Sequence, residues 1–154
     1  MRFTSAHFGE VEVDESQVVE FPAGIPGLEE ERRFAIFPVA EGKPFFYLHS
    51  LANPHLCLVV AEPFTFFPDY EVDVPPEVLQ GLGVEEGQEA QAPLAVFVIL
   101  TISGSLREAT ANLLGPVIVN TATRRGLQYV PPQSPYTTKH RLFDGDAPAR
   151  SQAG

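Results

Sequence analysis

The chain has 154 residues, a hydrophobic fraction of 44% and a net charge of −10, which favour a single domain with its own core and argue against disorder of the whole chain. The acidity is uneven, because residues 1–91 hold 17 acidic and 4 basic side chains and no Lys or Arg occurs between Lys43 and Arg107. Such a surface repels nucleic acid and anionic lipid and attracts a basic protein, although net charge alone can also serve only solubility.

Short segments rich in β-branched and aromatic residues follow one another between turns and predict strands. In chain order these are residues 11–13, 18–21, 34–39, 45–51, 56–61, 94–102, 117–119 and 126–130. Two of them, residues 56–61 and 94–102, are continuous apolar runs apart from Thr101, which is typical of strands buried on both faces. We assign five large apolar side chains to the core, namely Phe8, Phe21, Phe34, Phe97 and Val117.

Proline and glycine separate these segments, and three of the intervening stretches are informative. Residues 21–27 (FPAGIPG) predict a fixed, tight loop. Residues 75–82 predict a short helix with prolines in its first turn, ended by Gly81 or Gly83. Residues 144–154 (DGDAPARSQAG) lack any large apolar residue and predict a disordered C-terminal tail.

The spacing of the elements predicts an all-β class. Strands recur about every 8–12 residues with only one or two short helices, which indicates an antiparallel sandwich or a small barrel. Alternating strands and helices around a parallel sheet are not expected, since no amphipathic helix of sufficient length separates the strands. We therefore predict one domain over residues 1–143, followed by the tail.

Signals for enzyme chemistry and bound cofactors are weak. Residues 81–87 (GLGVEEG) depart from a dinucleotide loop in spacing, in charge and in following a helix. His55 and Cys57 could face the same side of a strand, but a structural zinc site needs more ligands, and a lone cysteine is more often a small buried hydrophobe. We predict no catalytic residue, no metal and no cofactor. The cytoplasm is the expected compartment, since neither a secretory signal nor an apolar run of membrane-spanning length is visible.

The segment that stands out is residues 63–73 (PFTFFPDYEVD), which interleaves aromatic and acidic side chains. One interpretation is a strand and turn with the aromatic rings inward and the acids outward. The other is a mixed aromatic and acidic docking surface, in which carboxylates steer a basic partner. We take Asp69, Tyr70, Glu71 and Asp73 as candidate partner-binding residues.

Several motifs, in colinear order from about residue 3 to 143, together resemble the FliW family. They include residues 8–13 (FGEVEV), residues 21–29 (FPAGIPGLE), residues 63–70 (PFTFFPDY) and residues 110–120 (TANLLGPVIVN). His49 stands where the family usually has Gln, Leu28 where Phe is common, and Gly115 where Ala is common. The resemblance implies a β-barrel-like fold, an extended segment at residues 110–113 and a cytoplasmic protein that is not an enzyme.

The resemblance also implies two protein partners, which are flagellin and the RNA-binding translational regulator CsrA. Free protein would bind CsrA, away from its RNA-contacting surface, and relieve repression of flagellin mRNA; accumulating flagellin would then withdraw it. We expect a monomer when free. For flagellin, whose terminal helices are apolar, we predict a groove lined by residues 53–58 and 100–104, with Asn53, His55, Leu58 and Ile102 as candidates. The alternatives are a small β-barrel enzyme acting on a metabolite and a purely structural subunit.

Overall fold

The secondary structure within residues 1–143, the part of the chain that the computed structural model describes, consists of short strands and two short helices. The strands are β1 (Arg2–Ser5), β2 (Gly9–Glu12), β3 (Val18–Glu20), β4 (Arg33–Pro38), β5 (Phe45–Ser50), β6 (Cys57–Ala61), β7 (Leu94–Thr101), β8 (Thr110–Ala111), β9 (Val117–Asn120), β10 (Arg125–Gln128) and β11 (His140–Arg141). The helices are α1 (Pro63–Phe66) and α2 (Pro76–Gly81). The predicted disordered tail, residues 144–154, lies outside the described residues.

Seven strands close into a barrel in the order β3-β4-β5-β6-β7-β9-β10. Neighbours along this order pair antiparallel, and the seam between β10 and β3 is a parallel bridge at Arg125 and Glu20. Closure leaves these strands with neighbours on both sides, which limits the free edges at which sheets aggregate. The all-β, barrel-like prediction is therefore confirmed, with one parallel pair in an otherwise antiparallel arrangement.

The predicted strands occur where the sequence pattern placed them, with ends that differ by one or two residues, and residues 110–111 are extended as β8. The predicted helix is α2, whose first turn contains Pro76; Gly83, just past it, has φ +84°. One interpretation of residues 63–73 was a strand and turn; the structure has the turn, at residues 68–69, but no strand. Pro63 instead starts the single turn of α1, because its ring fixes φ at a helical value and its missing N–H is not needed there.

Phenylalanine side chains fill the barrel interior. Phe21 and Phe34 are fully buried and meet edge to face with ring centroids 5.4 Å apart. Phe97 and Val117 pack into the same cluster, with Leu48 and Val60 across the barrel. The core assignment of Phe21, Phe34, Phe97 and Val117 is confirmed.

The hairpin of β1 and β2 packs outside the barrel, where Phe3 joins Val18 and Ala35 in a small cluster. Phe8, which we assigned to the core, is 43% exposed, so that assignment is wrong. It lies at the hairpin turn beside Gly9, whose φ of +76° reverses the chain, and its ring contacts Tyr47 on β5 at 4.9 Å between centroids.

A second outer layer covers β9, which is buried on both of its faces. Ile118 points away from the barrel interior and packs under Leu79 and Leu82 of the α2 region. Asn120 fixes this layer, because its side-chain amide donates to the carbonyl oxygen of Leu82 at 2.9 Å. The buried polar group is thereby paired, as burial requires.

Candidate functional site: a tyrosine- and proline-lined groove

An open groove of about 430 Å³ lies outside the barrel, between the segment after α1 and the segment after β10. Its chemistry is dominated by tyrosine, proline and aliphatic side chains, with two carboxylates at the rim. The lining residues are Tyr70, Glu71, Val72, Asp73, Pro75, Leu113, Leu114, Pro116, Tyr129, Pro131, Pro132, Gln133, Ser134, Pro135 and Tyr136. Apolar walls with a few polar groups are typical of a binding site.

Hydrogen bonds between its segments hold the groove in shape. The hydroxyl of Tyr70 donates to the carbonyl oxygen of Leu113 at 2.7 Å, and the N–H of Glu71 donates to the hydroxyl of Tyr136 at 3.2 Å. The Tyr70 and Tyr136 rings meet edge to face with centroids 4.8 Å apart. On the opposite side the Gln128 amide donates to the carbonyl oxygen of Gly115 at 2.9 Å. The walls are therefore tied to one another before any ligand arrives, which lowers the cost of binding.

The structure divides the predicted acidic and aromatic surface into an interior part and an exposed part. Tyr70 is only 5% exposed, so most of its ring packs inside and only an edge reaches the groove. Burial, with a smaller contribution from nearby Tyr136, raises the pKa of Tyr70 to about 12. Asp69, Glu71 and Asp73 are exposed, and Glu71 and Asp73 lie on the groove. Of the two interpretations of this segment, the inward one describes the Tyr70 ring, because its hydroxyl finds a buried acceptor, while the neighbouring acids face outward.

The carboxylates at the rim form no ion pair with another side chain of residues 1–143. A single ion pair is found within residues 1–143, between Arg2 and Glu10 at 3.6 Å, and it lies on the β1–β2 hairpin. No Lys or Arg is among the groove residues. Glu71 and Asp73 are thus left to interact with solvent or with a basic ligand.

Two exposed apolar side chains lie beside the groove or the segments that support it. Phe64 on α1 is 47% exposed, and its ring lies 6.0 Å from that of Tyr70 between centroids. Val130 is 51% exposed and lies against Gly115, where an added Cβ would come within 3.2 Å of it. Exposed apolar side chains next to a groove enlarge the area that a partner can cover.

The four candidates for a flagellin groove lie on three different segments. Asn53 and His55 lie in a turn before β6, where the Asn53 side chain accepts from the N–H of His55 at 2.9 Å. Leu58 is half-buried against the barrel cluster, and Ile102 is 41% exposed in the loop after β7. Of residues 53–58, which we predicted to line this groove, only Cys57 and Leu58 belong to a strand, because β6 begins at Cys57.

Asn53 instead contributes to a separate cavity of about 330 Å³, shared with Leu56 and residues 27–31. Glu29 borders it, and its carboxylate accepts a hydrogen bond from the N–H of Gly27 at 3.0 Å. This hydrogen bond lowers the pKa of Glu29 below its usual value. The cavity is small and its rim is acidic.

One serine–histidine pair has the spacing of a nucleophile and its base, since Ser5 Oγ and His49 Nε2 are 2.8 Å apart. Both are buried, at 4% and 0% exposure, and the Ser5 oxygen already accepts from the N–H groups of His7 and Phe8. His49 Nδ1 lies 2.8 Å from the carbonyl oxygen of Ser50. A substrate has no access to this pair, so it joins β1 to β5 and does not act as a catalytic site.

Metal and thiol chemistry find little support in the part of the chain that the structure describes. No group of three or more His, Cys, Asp or Glu side chains there is arranged to hold a metal ion. Cys57 is half-buried, and burial raises the pKa of its thiol, which disfavours the reactive thiolate. Across the same residues, no helix is long and apolar enough to cross a membrane.

Sequence reasoning missed half of the groove. Residues 129–136 (YVPPQSPY) form one wall, and none of them is among the predicted binding residues. The signal was present, since three prolines between two tyrosines are unusual in a short segment. The sequence could not show that the segment after β10 lies beside Tyr70.

Fold and groove together define a small closed β-barrel domain that carries an open, acid-rimmed groove on its outer surface. A sequence model of the family described as "FliW protein" matches residues 2–142. The chain belongs to the FliW family.

Similar proteins cover almost the whole chain. The flagellar assembly factor FliW of Syntrophomonas wolfei subsp. wolfei is 45% identical over 143 residues, covering 93% of this chain and 89% of the relative. The protein of the same name in Geobacillus thermodenitrificans is 38% identical, covering 93% and 96%. A crystal structure of the flagellar assembly factor FliW superposes with a TM-score of 0.83 at 34% identity, covering 95% of this chain and 99% of that one.

Proposed function

We propose that this protein is a cytoplasmic flagellar assembly factor that binds flagellin and binds CsrA, and so relieves repression of flagellin mRNA translation. Membership of the FliW family supports the first part, since the relatives are named flagellar assembly factors and not enzymes. The two partners are the ones that the family resemblance implies. In this scheme flagellin and CsrA share one limited pool of the protein, so flagellin synthesis is matched to its use.

The observation that carries the CsrA part of the proposal is a group of exposed carboxylates that form no ion pair with another side chain of residues 1–143. Asp69, Glu71 and Asp73 lie within five residues of one another, on or next to a preformed groove. An RNA-binding protein presents positive charge to its ligand. Complementary charge would speed encounter between the two proteins and fix their register.

Charge also gives a physical route to regulation without covering the RNA site. A bound partner with a net charge of −10 adds negative potential near the regulator's surface. RNA affinity depends strongly on the positive potential of the protein. An acidic ligand could thus weaken RNA binding from a distance, which agrees with action away from the RNA-contacting surface.

The test is direct binding of the purified protein to purified CsrA and to purified flagellin, by calorimetry at low ionic strength. We expect saturable binding to both, and weaker CsrA binding when Asp69→Ala, Glu71→Ala and Asp73→Ala are combined. A matched control removes three carboxylates that lie away from the groove, through Glu41→Ala, Glu85→Ala and Glu86→Ala. Absence of binding to both partners, or turnover of a small metabolite, would overturn the proposal.

A further inference from the structure

We infer that the groove binds a short extended peptide segment that contains proline and carries an Arg or Lys beside it. The inference deepens the proposed function and rests on it only for the identity of the natural partner. The chemistry of the groove itself, described above, selects this kind of ligand.

The size of the groove favours an extended segment over a helix as its occupant. A helix with its side chains is about 10–12 Å across with a 5.4 Å pitch, so one turn fills about 420–610 Å³. The groove volume of about 430 Å³ therefore holds one turn at most. An extended segment can place a few side chains in the same space and continue along the exposed surface at Phe64.

The proline wall also argues against addition of a β-strand. Strand addition relies on alternating backbone N–H and C=O groups of the receiving edge. Pro131, Pro132 and Pro135 lack an N–H, so this wall offers carbonyl acceptors and flat ring faces but few donors. Grooves lined by aromatic rings bind polyproline II segments, whose conformation is formed before binding and loses little entropy. Tyr129 and Tyr136 supply such rings here.

The negative charge of the groove rim determines which charged residue the ligand should carry. Glu71 and Asp73 are exposed at the rim, and no basic side chain lines the groove. A basic residue next to the apolar part of the ligand would meet these carboxylates and set the direction in which the peptide lies. An acidic segment would be repelled.

The probe is a fluorescein-labelled synthetic peptide, RALPPLP, titrated with the full chain and followed by fluorescence anisotropy. We expect a dissociation constant of about 10–500 μM, the range of a short anchor. The peptide EALPPLP should bind at least about tenfold more weakly, since it reverses the charge that the rim selects. An alanine-rich helical peptide with the same Arg and Leu content should bind no better than EALPPLP.

Variants locate the binding. Glu71→Lys combined with Asp73→Lys should weaken RALPPLP at least about tenfold, while the control pair Glu41→Lys and Glu86→Lys, with the same change in net charge, stays within about twofold. Leu114→Arg should also weaken binding, because it places a charge on an apolar wall. Thermal unfolding of each variant verifies that it is folded.

Several results would overturn the inference. One is the absence of saturable RALPPLP binding up to about 2 mM. Another is an equal loss of RALPPLP affinity in the groove variant (Glu71→Lys with Asp73→Lys) and in the control variant (Glu41→Lys with Glu86→Lys). Tighter binding of RALPPLP after Pro148→Ser and Arg150→Glu would support the inference, because the chain's own proline and arginine would then compete for the groove. Dimerisation through the groove that the peptide does not reverse would identify a second copy as the occupant and overturn the inference. Because CsrA and flagellin are absent from this assay, a protein that binds them but ignores the peptide disproves this inference alone, and one that binds only the peptide disproves the proposed function alone.

Discussion

The hydroxyl of Tyr70 donates a hydrogen bond to the carbonyl oxygen of Leu113, 2.7 Å away and 43 residues further along the chain. This bond joins the segment after α1 to the segment between β8 and β9. Both residues line the groove, so the contact ties two of its walls to one another. The stability of the domain and the shape of the groove thereby depend on the same phenol.

Replacing Tyr70 with Phe tests this contact with little change in volume. The buried carbonyl oxygen of Leu113 loses its side-chain donor, so we expect the free energy of unfolding to fall by about 1–2 kcal/mol in urea titrations. Tyr47→Phe is a matched control, because no hydrogen bond of the Tyr47 hydroxyl is found within the described residues, and it should change stability by less than about 0.5 kcal/mol. Equal effects of the two substitutions would mean that the hydrogen bond contributes nothing.

Tyr70 also makes stability depend on alkaline pH. In the unfolded chain a tyrosine loses its proton near pH 10, whereas burial raises the pKa of Tyr70 in the folded protein to about 12. Below pH 10 Tyr70 is protonated in both the folded and the unfolded state, so its full contribution to the free energy of unfolding is present. As the pH rises toward 12 the unfolded state alone loses its proton, so the free energy of unfolding falls, by about 1–3 kcal/mol in total.

Urea unfolding at stepwise pH between about 9 and 12 checks this prediction. The Tyr70→Phe variant should lack that part of the decline, so the two curves should converge as the pH rises. Curves that stay parallel would show that Tyr70 ionises with an ordinary pKa.

The contrast between Tyr70 and Phe8 shows how far sequence reasoning reached. Alternation and apolar runs predicted the barrel strands well, because period-2 patterns report local burial directly. Neither pattern separates an aromatic ring in the core from one that covers the outside of a strand. Phe8 lies on the outer surface and Tyr70 lies inside, since each position depends on contacts with residues more than 35 positions away.

The loop at residues 21–27 contains a glycine that both its backbone conformation and close packing require. Gly24 has φ +73°, and a Cβ there would lie 2.7 Å from the Cα of Glu29. Gly42 has a similar φ of +78° but open space around the same position. The left-handed backbone alone should lower the free energy of unfolding of either alanine variant by about 1 kcal/mol. Gly24→Ala should lower it by roughly 1–3 kcal/mol more than Gly42→Ala does, because only its Cβ overlaps a neighbour.

Thermal and urea unfolding of the two alanine variants measure that difference. The comparison isolates steric overlap, because the two glycines share the left-handed backbone and differ in their surroundings. Equal costs would show that the loop moves away from Glu29 without penalty.

His49 presents a different case, in which the sequence departs from the family pattern and the structure shows what the replacement does. Both ring nitrogens have partners, Ser5 Oγ and the carbonyl oxygen of Ser50, each at 2.8 Å. His49→Ala should lower the free energy of unfolding by about 2–4 kcal/mol, since it leaves a cavity and an unpaired hydroxyl. His49→Gln, which keeps a donor and an acceptor, should cost less than about 1.5 kcal/mol in the same urea titration. A glutamine variant as unstable as the alanine variant would contradict this role.

The groove could be predicted only in part, and the reason is topological. Residues 63–73 stood out by composition, and Glu71 and Asp73 do reach the rim. The opposite wall, residues 129–136, follows β10, whose parallel bridge to β3 closes the barrel. A single bridged pair leaves no periodic trace in the sequence, so neither the closure nor the position of this wall could be inferred from local patterns.

The rate of association with CsrA tests whether the carboxylates at the rim act through the electrostatic field. Exposed charges are screened over about 8 Å at physiological salt, so a steered encounter slows as salt is added. We expect the association rate constant, measured by stopped flow, to fall at least about tenfold between 50 and 500 mM NaCl.

In the protein with Asp69→Ala, Glu71→Ala and Asp73→Ala, both the association rate constant at low salt and its salt dependence should be smaller. The control with Glu41→Ala, Glu85→Ala and Glu86→Ala has the same net charge, so it should lose less of the rate if the field is local to the groove. An association rate indifferent to salt in the unaltered protein would show that the acidic surface maintains solubility and does not guide a partner.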